Sequence, residues 1–334
     1  MDFVVTWVDE NDPVWQKERQ SYWNNHYGDN SVCRFRDWNL LRFWFRGVEK
    51  YAPWVRKIHF VTYGHYPQWL NVNHPKLSIV KHSDYIPSEF LPTFSSHPIE
   101  LNLHRINALS EEFVFFNDDF YLLDSVVPED FFVESLPCDS CNMTFNIPLS
   151  DMGIMGCIEQ NNLMAINRHF RKSDLLRRHW RWFFNWHYGL YRNVYALYAL
   201  PAPVFSGFYW THSAQSFLKS SFFDVWEKEG DFLRSTCMHR FRDAADVNQY
   251  LIRYWQMLSG HFCQRNMLNK RQLIDVSEKT ISTIETLLYT REKSIVCIND
   301  SVKVGNSFFP LQVRLHQAFQ KAFPRPSFFE NDDI

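Results

Sequence analysis

The first 130 residues predict an α/β fold with a doubly wound, mostly parallel sheet, and the remainder predicts a helical C-terminal extension. Three observations carry this. Short runs rich in β-branched and aromatic residues alternate with segments of helical periodicity. The runs are short and apolar enough to be buried strands. Two of them, Asp2–Val8 and Phe113–Phe116, end in acidic clusters, where open α/β sheets bind ligands.

Phe3–Val8 reads as a strand that ends in the acidic loop Asp9-Glu-Asn-Asp-Pro13. Pro13 suits a first helical turn and leads into a helix over Val14–Asn25. Between Asp37 and Tyr51, apolar residues at 38, 41, 44, 45 and 48 share one helical face. Ile58–Thr62 and Leu77–Val80 are short strands separated by the Pro67–Leu70 turn. Ser96–Leu109 reads as a helix that delivers the chain into the strand beginning at Phe113. Later, Pro137–Gly156 reads as a loop or a substrate-covering insertion, and helices are expected near 167–190, 213–228, 246–259 and 310–323. Ser294–Ile298 is a last short strand with Asn299-Asp300 at its tip. The organisation expected is one catalytic domain over 1–334: an α/β core at 1–130, a helical insertion that could cover a substrate at 131–290, and a returning strand with a C-terminal helix at 291–334.

Composition narrows the function. The chain has 334 residues, 22% charged, with a formal net charge of −2, so no nucleic-acid partner is implied. Glycines number only 10, and neither GxGxxG nor GxxxxGK[ST] occurs, so phosphates must be held by Arg, Lys, metal or helix N-termini. Aromatic residues make up 18%, which suits sugar-facing surfaces as well as a bulky core. Seven scattered cysteines with a single CxxC (Cys138, Cys141) point to a reduced, cytosolic chain rather than a zinc site. No signal peptide and no membrane-spanning run are expected.

Chemistry concentrates in a few places. Asp118 and Asp119 interrupt the apolar run Phe113–Leu123, either as a polar turn or as paired carboxylates that need a cation. Asp9 and Asp12, at the tip of the first strand, are donor-binding candidates, with helix capping as the plainer role. Glu100 and His104 stand four apart, so both project from one helical face, and Arg105 beside them suits phosphate. His212 has the side chain best suited to general-base work near neutrality. In His239-Arg-Phe-Arg-Asp-Ala-Ala-Asp246-Val-Asn248, Arg242 offers a planar donor pair to phosphate oxygens, and Asp246 and Asn248 join the donor-binding set. Arg177–Tyr188 interleaves arginines with aromatics and fits a membrane surface, a sugar platform, or simply a core-packed helix.

Taken in order, these segments resemble the Stealth family of sugar-1-phosphate transferases, which includes bacterial capsular polysaccharide phosphotransferases and the animal N-acetylglucosamine-1-phosphotransferase. The matching pieces are Asp2–Pro13; Arg34-Phe-Arg-Asp37 through Ile58, Leu91–Ser96, His104–Ile106 and Asn117–Asp119; His212 through Arg242 to Asp246; and Cys297–Asp300 with the ending Phe323–Glu330. The chain departs from the family where Glu10 replaces a usual glycine and where His212-Ser-Ala214 lacks the usual proline. The resemblance implies a nucleotide-sugar-binding, GT-A-like fold. It implicates Glu100, Asp118 and Asp119 in the catalytic centre, His212 as the base and Arg242 toward phosphate.

The implied reaction moves a sugar-1-phosphate, with N-acetylhexosamine as the family default, from a UDP-sugar to a glycan hydroxyl and releases UMP. Mg²⁺ or Mn²⁺ would sit on Asp118 and Asp119, with Asp300 as a further candidate ligand. The acceptor would be a polysaccharide or lipid-linked glycan at the inner face of the cell membrane. Two other readings are a metal-dependent glycosyltransferase that releases UDP and a non-catalytic glycan-binding protein.

Overall fold

Strict alternation builds the centre of the main sheet. In strand β1 (Asp2–Thr6), Phe3 and Val5 enter one apolar cluster and Val4 enters a second on the opposite face. Strand β4 follows the same rule, with Val114 and Phe116 on the first side and Phe113 and Phe115 on the second. A strand buried on both faces requires helices on both. The computed structural model describes residues 1–23, 28–147, 153–209, 212–300 and 307–331.

After β1 come helix α1 (Pro13–Tyr22), helix α2 (Leu41–Tyr51), strands β2 (Lys57–Thr62) and β3 (Leu77–Lys81), and helices α3 (His82–Tyr85) and α4 (Ser96–Leu101). Strands β4 (Glu112–Asn117), β5 (Phe120–Leu122), β6 (Phe132–Val133) and β7 (Leu136–Asp139) lead into helices α5 (Ile154–His169), α6 (Lys172–Phe183) and α7 (Leu190–Ala199). Strand β8 (Gln215–Leu218), helices α8 (Lys219–Met238) and α9 (Gln249–Leu258), and strands β9 (Cys263–Gln264) and β10 (Arg271–Asp275) come next. Helix α10 (Ile281–Thr290), strand β11 (Ile295–Asn299) and helix α11 (Phe308–Ala322) complete the order.

The main sheet runs β3-β2-β1-β4-β8, with the first four strands parallel and β8 antiparallel at the edge. This is the mostly parallel, doubly wound sheet that the sequence predicts. A second sheet, β10-β11-β5, begins close by, because only Asp118 and Asp119 separate β4 from β5 along the chain. Helix α2 lies between the sheets. Its Trp44 meets Phe116 at 5.6 Å, and a Cβ on Gly47 would come within 2.7 Å of the Leu122 carbonyl oxygen, so only glycine permits this packing. Buried Arg46 of α2 donates to Glu330 and to the Phe323 carbonyl, which pins the chain ending against the core.

Several expected elements shift. The helix expected at 213–228 begins instead with strand β8, because Gln215–Leu218 pairs with β4 before α8 starts. The helix expected over 96–109 stops at Leu101: the Asn102 side chain donates to the Pro98 carbonyl, and a single 3₁₀ turn over Leu103–Arg105 follows. Residues 131–290 also carry strands β6 to β10, and one of these, β8, belongs to the main sheet. The loop expected over 137–156 holds part of β7 and the start of α5, while 148–152 lie outside the described residues.

Asp2 opens β1 fully buried and accepts from Arg56 Nε (2.8 Å) and Ser110 N (2.9 Å), with His59 Nε2 at 3.1 Å. Burial alone would raise this carboxyl, but the hydrogen bonds from His59, Arg56 and Ser110 outweigh it and hold Asp2 down to about 2. A depressed carboxylate contributes stability that is present above its unfolded value and is lost as pH falls through the folded one. Asp2→Asn should therefore cost about 2 kcal/mol at neutral pH, with the gap to wild type closing between about pH 4 and pH 2. Urea unfolding at neutral pH and at about pH 2.5 checks this; a gap that persists in acid removes the linkage.

Candidate active site

In a sheet ordered β3-β2-β1-β4, the chain direction of winding reverses between β1 and β4. Ligands of open α/β sheets bind beyond the carboxyl ends of the strands at that point. Those ends are Thr6 and Asn117, which stand opposite one another in register. A cleft of about 490 Å³ opens there, lined by both residues and by Trp7, Asp118 and Asp119. Arg36, Asp37, Ser96, His212, Arg242 and Asp300 line it as well.

Asp119 is held by the second sheet. Its carbonyl accepts from Ile298 N at 2.9 Å, and its Oδ2 accepts from the Cys297 thiol at 3.4 Å. Its Oδ1 is buried with no hydrogen-bond partner among the described residues. Burial, with the charge of Asp300 adding, pushes Asp119 up to about 7. Asp118 opens into the cleft, where it is exposed; the protein walls around it and the neighbouring charges of Asp119 and Asp37 raise it well above the carboxylate range. Two adjacent carboxyls that resist ionisation, one with an orphaned oxygen, suit a divalent cation, which would restore both to the charged form. Ligand atoms of Asp119, His212 and Cys297 lie within 4.8 Å of one another. Carboxylate oxygens suit Mg²⁺ and Mn²⁺, and adding imidazole or thiolate tilts a site toward softer ions.

The His212 ring stands edge-on to Phe120 at 5.0 Å, with Nδ1 3.3 Å from the Tyr250 hydroxyl. Burial and the nearby Arg242 cation push His212 down to about 4, so it is a neutral acceptor at physiological pH. Arg242 is itself lowered to about 10 by burial and by Arg34, yet remains a cation. It donates to Ser96 Oγ at 3.0 Å, and its carbonyl accepts from Asp29 N at 2.8 Å. A Cβ on Gly28, at φ 93°, would reach 2.7 Å from that carbonyl, so this approach too needs glycine. Glu100 is buried one helical turn after Ser96 on α4, and its charge reaches Arg242.

The remaining candidates, Asp300 apart, lie outside the cleft lining. Asp12 caps α1 by accepting from Trp15 N at 2.7 Å, and Asp9 N donates to His65 Nε2 at 2.8 Å; neither lines the cleft. With α4 ending at Leu101, Glu100 and His104 do not share a helical face: His104 is buried against Phe222 and Phe223, while Arg105 lies over Trp226 and donates to Asn102. Asp246 is buried, bonded to His97 Nδ1 (2.8 Å) and His239 Nδ1 (2.6 Å). It therefore ties α4 to the Arg242 loop and acts on the cleft through its neighbours. Asn248 caps α9 and accepts from Asn162. Asp300 does line the cleft, and Arg36 grips it fork to fork, so each of its oxygens already accepts one hydrogen bond.

Other cleft residues were not singled out from sequence. Asp37 accepts from Trp7 Nε1 at 3.3 Å and is raised by burial, while its N–H donates to Glu10. The Glu10 that stands where a glycine is usual thus stitches the first loop to the Arg34–Asp37 segment. Cys297, one of the seven scattered cysteines, does not line the cleft but bonds Asp119 beside it; what reveals it is its pairing with Phe120, next to Asp119, across the second sheet.

Paired carboxyls, a neutral histidine and a half-buried arginine at the switch point of a doubly wound sheet define an α/β enzyme. Residues 1–27 match the Stealth protein conserved region 1, and residues 34–138 match conserved region 2. The capsular polysaccharide phosphotransferase WcwK of Streptococcus pneumoniae is 42% identical over 99% of this chain and 98% of its own. The exopolysaccharide phosphotransferase cps2G of Lactiplantibacillus plantarum is 39% identical over 99% of this chain and 96% of its own. The chain belongs to the Stealth family and is an enzyme of that phosphotransferase family. A crystal structure of the galactosyltransferase LgtC with donor and acceptor sugar analogs is a remote likeness, with a TM-score of 0.42 at 10% identity over 98% of both chains.

Proposed function

We propose that this protein transfers a sugar-1-phosphate, N-acetylhexosamine-1-phosphate by preference, from a UDP-sugar to a glycan hydroxyl in capsular or exopolysaccharide synthesis. UMP leaves and a phosphodiester forms. The observation that carries this reading is one cleft shared by Asp118, Asp119, Arg242 and neutral His212. Phosphoryl transfer needs positioning and neutralisation of phosphate charge more than covalent help from the protein. Asp118 and Asp119 would hold Mg²⁺ or Mn²⁺, which supplies positive charge to the diphosphate.

Arg242, oriented by Ser96 and backed by Glu100, neutralises the oxygens of the β-phosphate. His212 takes the proton of the acceptor hydroxyl as its oxygen bonds to the β-phosphorus. The bond from that phosphorus to the bridging oxygen breaks, and its electron pair leaves with UMP. The acceptor is an oligosaccharide or lipid-linked glycan, reached at the inner face of the cell membrane.

The leaving nucleotide is the test. Purified protein given UDP-N-acetylglucosamine and a capsule-type oligosaccharide should release UMP and give a phosphodiester resonance in ³¹P NMR. Release of UDP instead would make it a glycosyltransferase, and no metal-dependent turnover with any UDP-sugar would make it a binding protein.

A further inference from the structure

Helix α7 is built inside out. Its small residues face inward, with Ala196 0% and Ala199 1% exposed, while its large apolar ones face water. Leu190 is 73% exposed, Tyr191 71% and Tyr198 68%, with Val194, Tyr195 and Leu197 also exposed. Just before it, Trp186 is 89% exposed and Trp180 is exposed on α6. A helix of a water-soluble surface ordinarily places its aromatics in and its small or polar residues out. Tyr191 and Tyr195 lie side by side at 4.7 Å with their rings tilted, and Tyr198 follows Tyr195 at 6.5 Å, so the three tyrosines form one aromatic strip on the outward face.

Charge selects the occupant. Between residues 171 and 204 stand Arg171, Lys172, Arg177, Arg178, Arg181 and Arg192 against one acid, Asp174, on a chain of net charge −2. Arg171, Arg177, Arg178 and Arg181 are exposed. Trp and Tyr favour the headgroup depth of a bilayer, and arginines beside them favour anionic lipid. No described helix is long and apolar enough to cross a membrane, so such contact would lie along the interface.

We propose that α6 and α7 form an interfacial docking face for an anionic bilayer. Residues Trp180, Trp186, Leu190, Tyr191, Tyr195 and Tyr198 enter the headgroup layer, and the arginines meet lipid phosphates. The face is tied to the active site: the Arg192 guanidinium packs on the ring of Tyr209, three residues before His212. The proposal rests on the phosphosugar-transfer reading for its purpose, because a lipid-linked glycan is reached from the membrane plane.

Flotation of the full chain with phosphatidylglycerol-containing vesicles, against phosphatidylcholine alone, tests it. Binding should favour the anionic vesicles and fall with added salt. Each of R177A, R178A and R181A should weaken it about fivefold. The combined variant Y191S/Y195S/Y198S should weaken it about tenfold or more. No binding to anionic vesicles, or binding untouched by both sets, overturns the proposal. So does sedimentation that shows a dimer dissolved by Y191S/Y195S/Y198S, which would assign the strip to a second copy of this chain. UMP release with a soluble oligosaccharide should survive all of these variants; its absence in wild type would count against the transfer reading and leave the docking face standing.

Discussion

Asp119→Ala is expected to lower phosphosugar transfer by about a thousandfold or more while the protein stays folded. The two halves of that expectation come from different features of one side chain. Asp119 Oδ1 is buried without a partner among the described residues, and Oδ2 accepts from the weak thiol donor of Cys297. A buried carboxyl so poorly satisfied costs the fold free energy when no cation is present. Its removal should therefore leave the melting temperature of the metal-free protein unchanged or raised, unlike a typical core truncation.

The metal-bound protein should behave in the opposite way. Mn²⁺ or Mg²⁺ binding only the folded wild type raises its melting temperature with concentration. Asp119→Ala should lose that rise together with activity. Calorimetric scans with and without Mn²⁺, set beside UMP release, read both. Activity within tenfold of wild type, or an intact metal-induced shift, would remove Asp119 from the site. Asp300→Asn makes a useful contrast. Arg36 already engages both of its oxygens, so that variant should lose stability from a broken ion pair while keeping the metal shift.

The main sheet was legible because its signals are local. The continuous apolar runs of Asp2–Thr6 and Phe113–Phe116 mark strands buried on both faces, and the periodicity of Leu41–Tyr51 marks a helix, although Phe43, Arg46, Gly47 and Tyr51 are buried beyond the one face it shows. Asp118 and Asp119 were legible too, since carboxylates beside a strand that is buried on both faces need a reason. What escaped depended on contacts far apart in sequence. Strand β8 looks like the start of a helix until β4 is present to pair with it. Cys297 looks inert until β11 aligns it with Phe120. His104 looked like a partner of Glu100 only while α4 was expected to continue past Leu101. Asp246, expected among the donor-binding residues, is instead bonded to His97 and His239, contacts that only the folded chain brings together.

His212 carries the other large expectation, and its geometry poses a choice between two roles. As a base it must be neutral with an accessible nitrogen, and burial with Arg242 nearby, holding it down to about 4, provides the first. As a metal ligand it would stand with Asp119 and Cys297, whose donor atoms are within 4.8 Å of its own. Either role predicts that His212→Ala costs about 10²–10⁴ in kcat. They part on three readouts. A base leaves Mn²⁺ affinity unchanged, allows added imidazole to recover part of the rate in the vacated space beside Phe120 and Tyr250, and sets the acid limb of the wild-type rate. Because the ring loses its proton near pH 4 rather than 6.5, that limb should fall below about pH 5 and leave the rate flat through neutrality. The base assignment predicts unchanged Mn²⁺ binding, imidazole rescue and the displaced limb together. Weakened Mn²⁺ binding without rescue would move His212 into the metal's coordination shell and leave proton removal to Glu100, which is buried one turn behind Ser96.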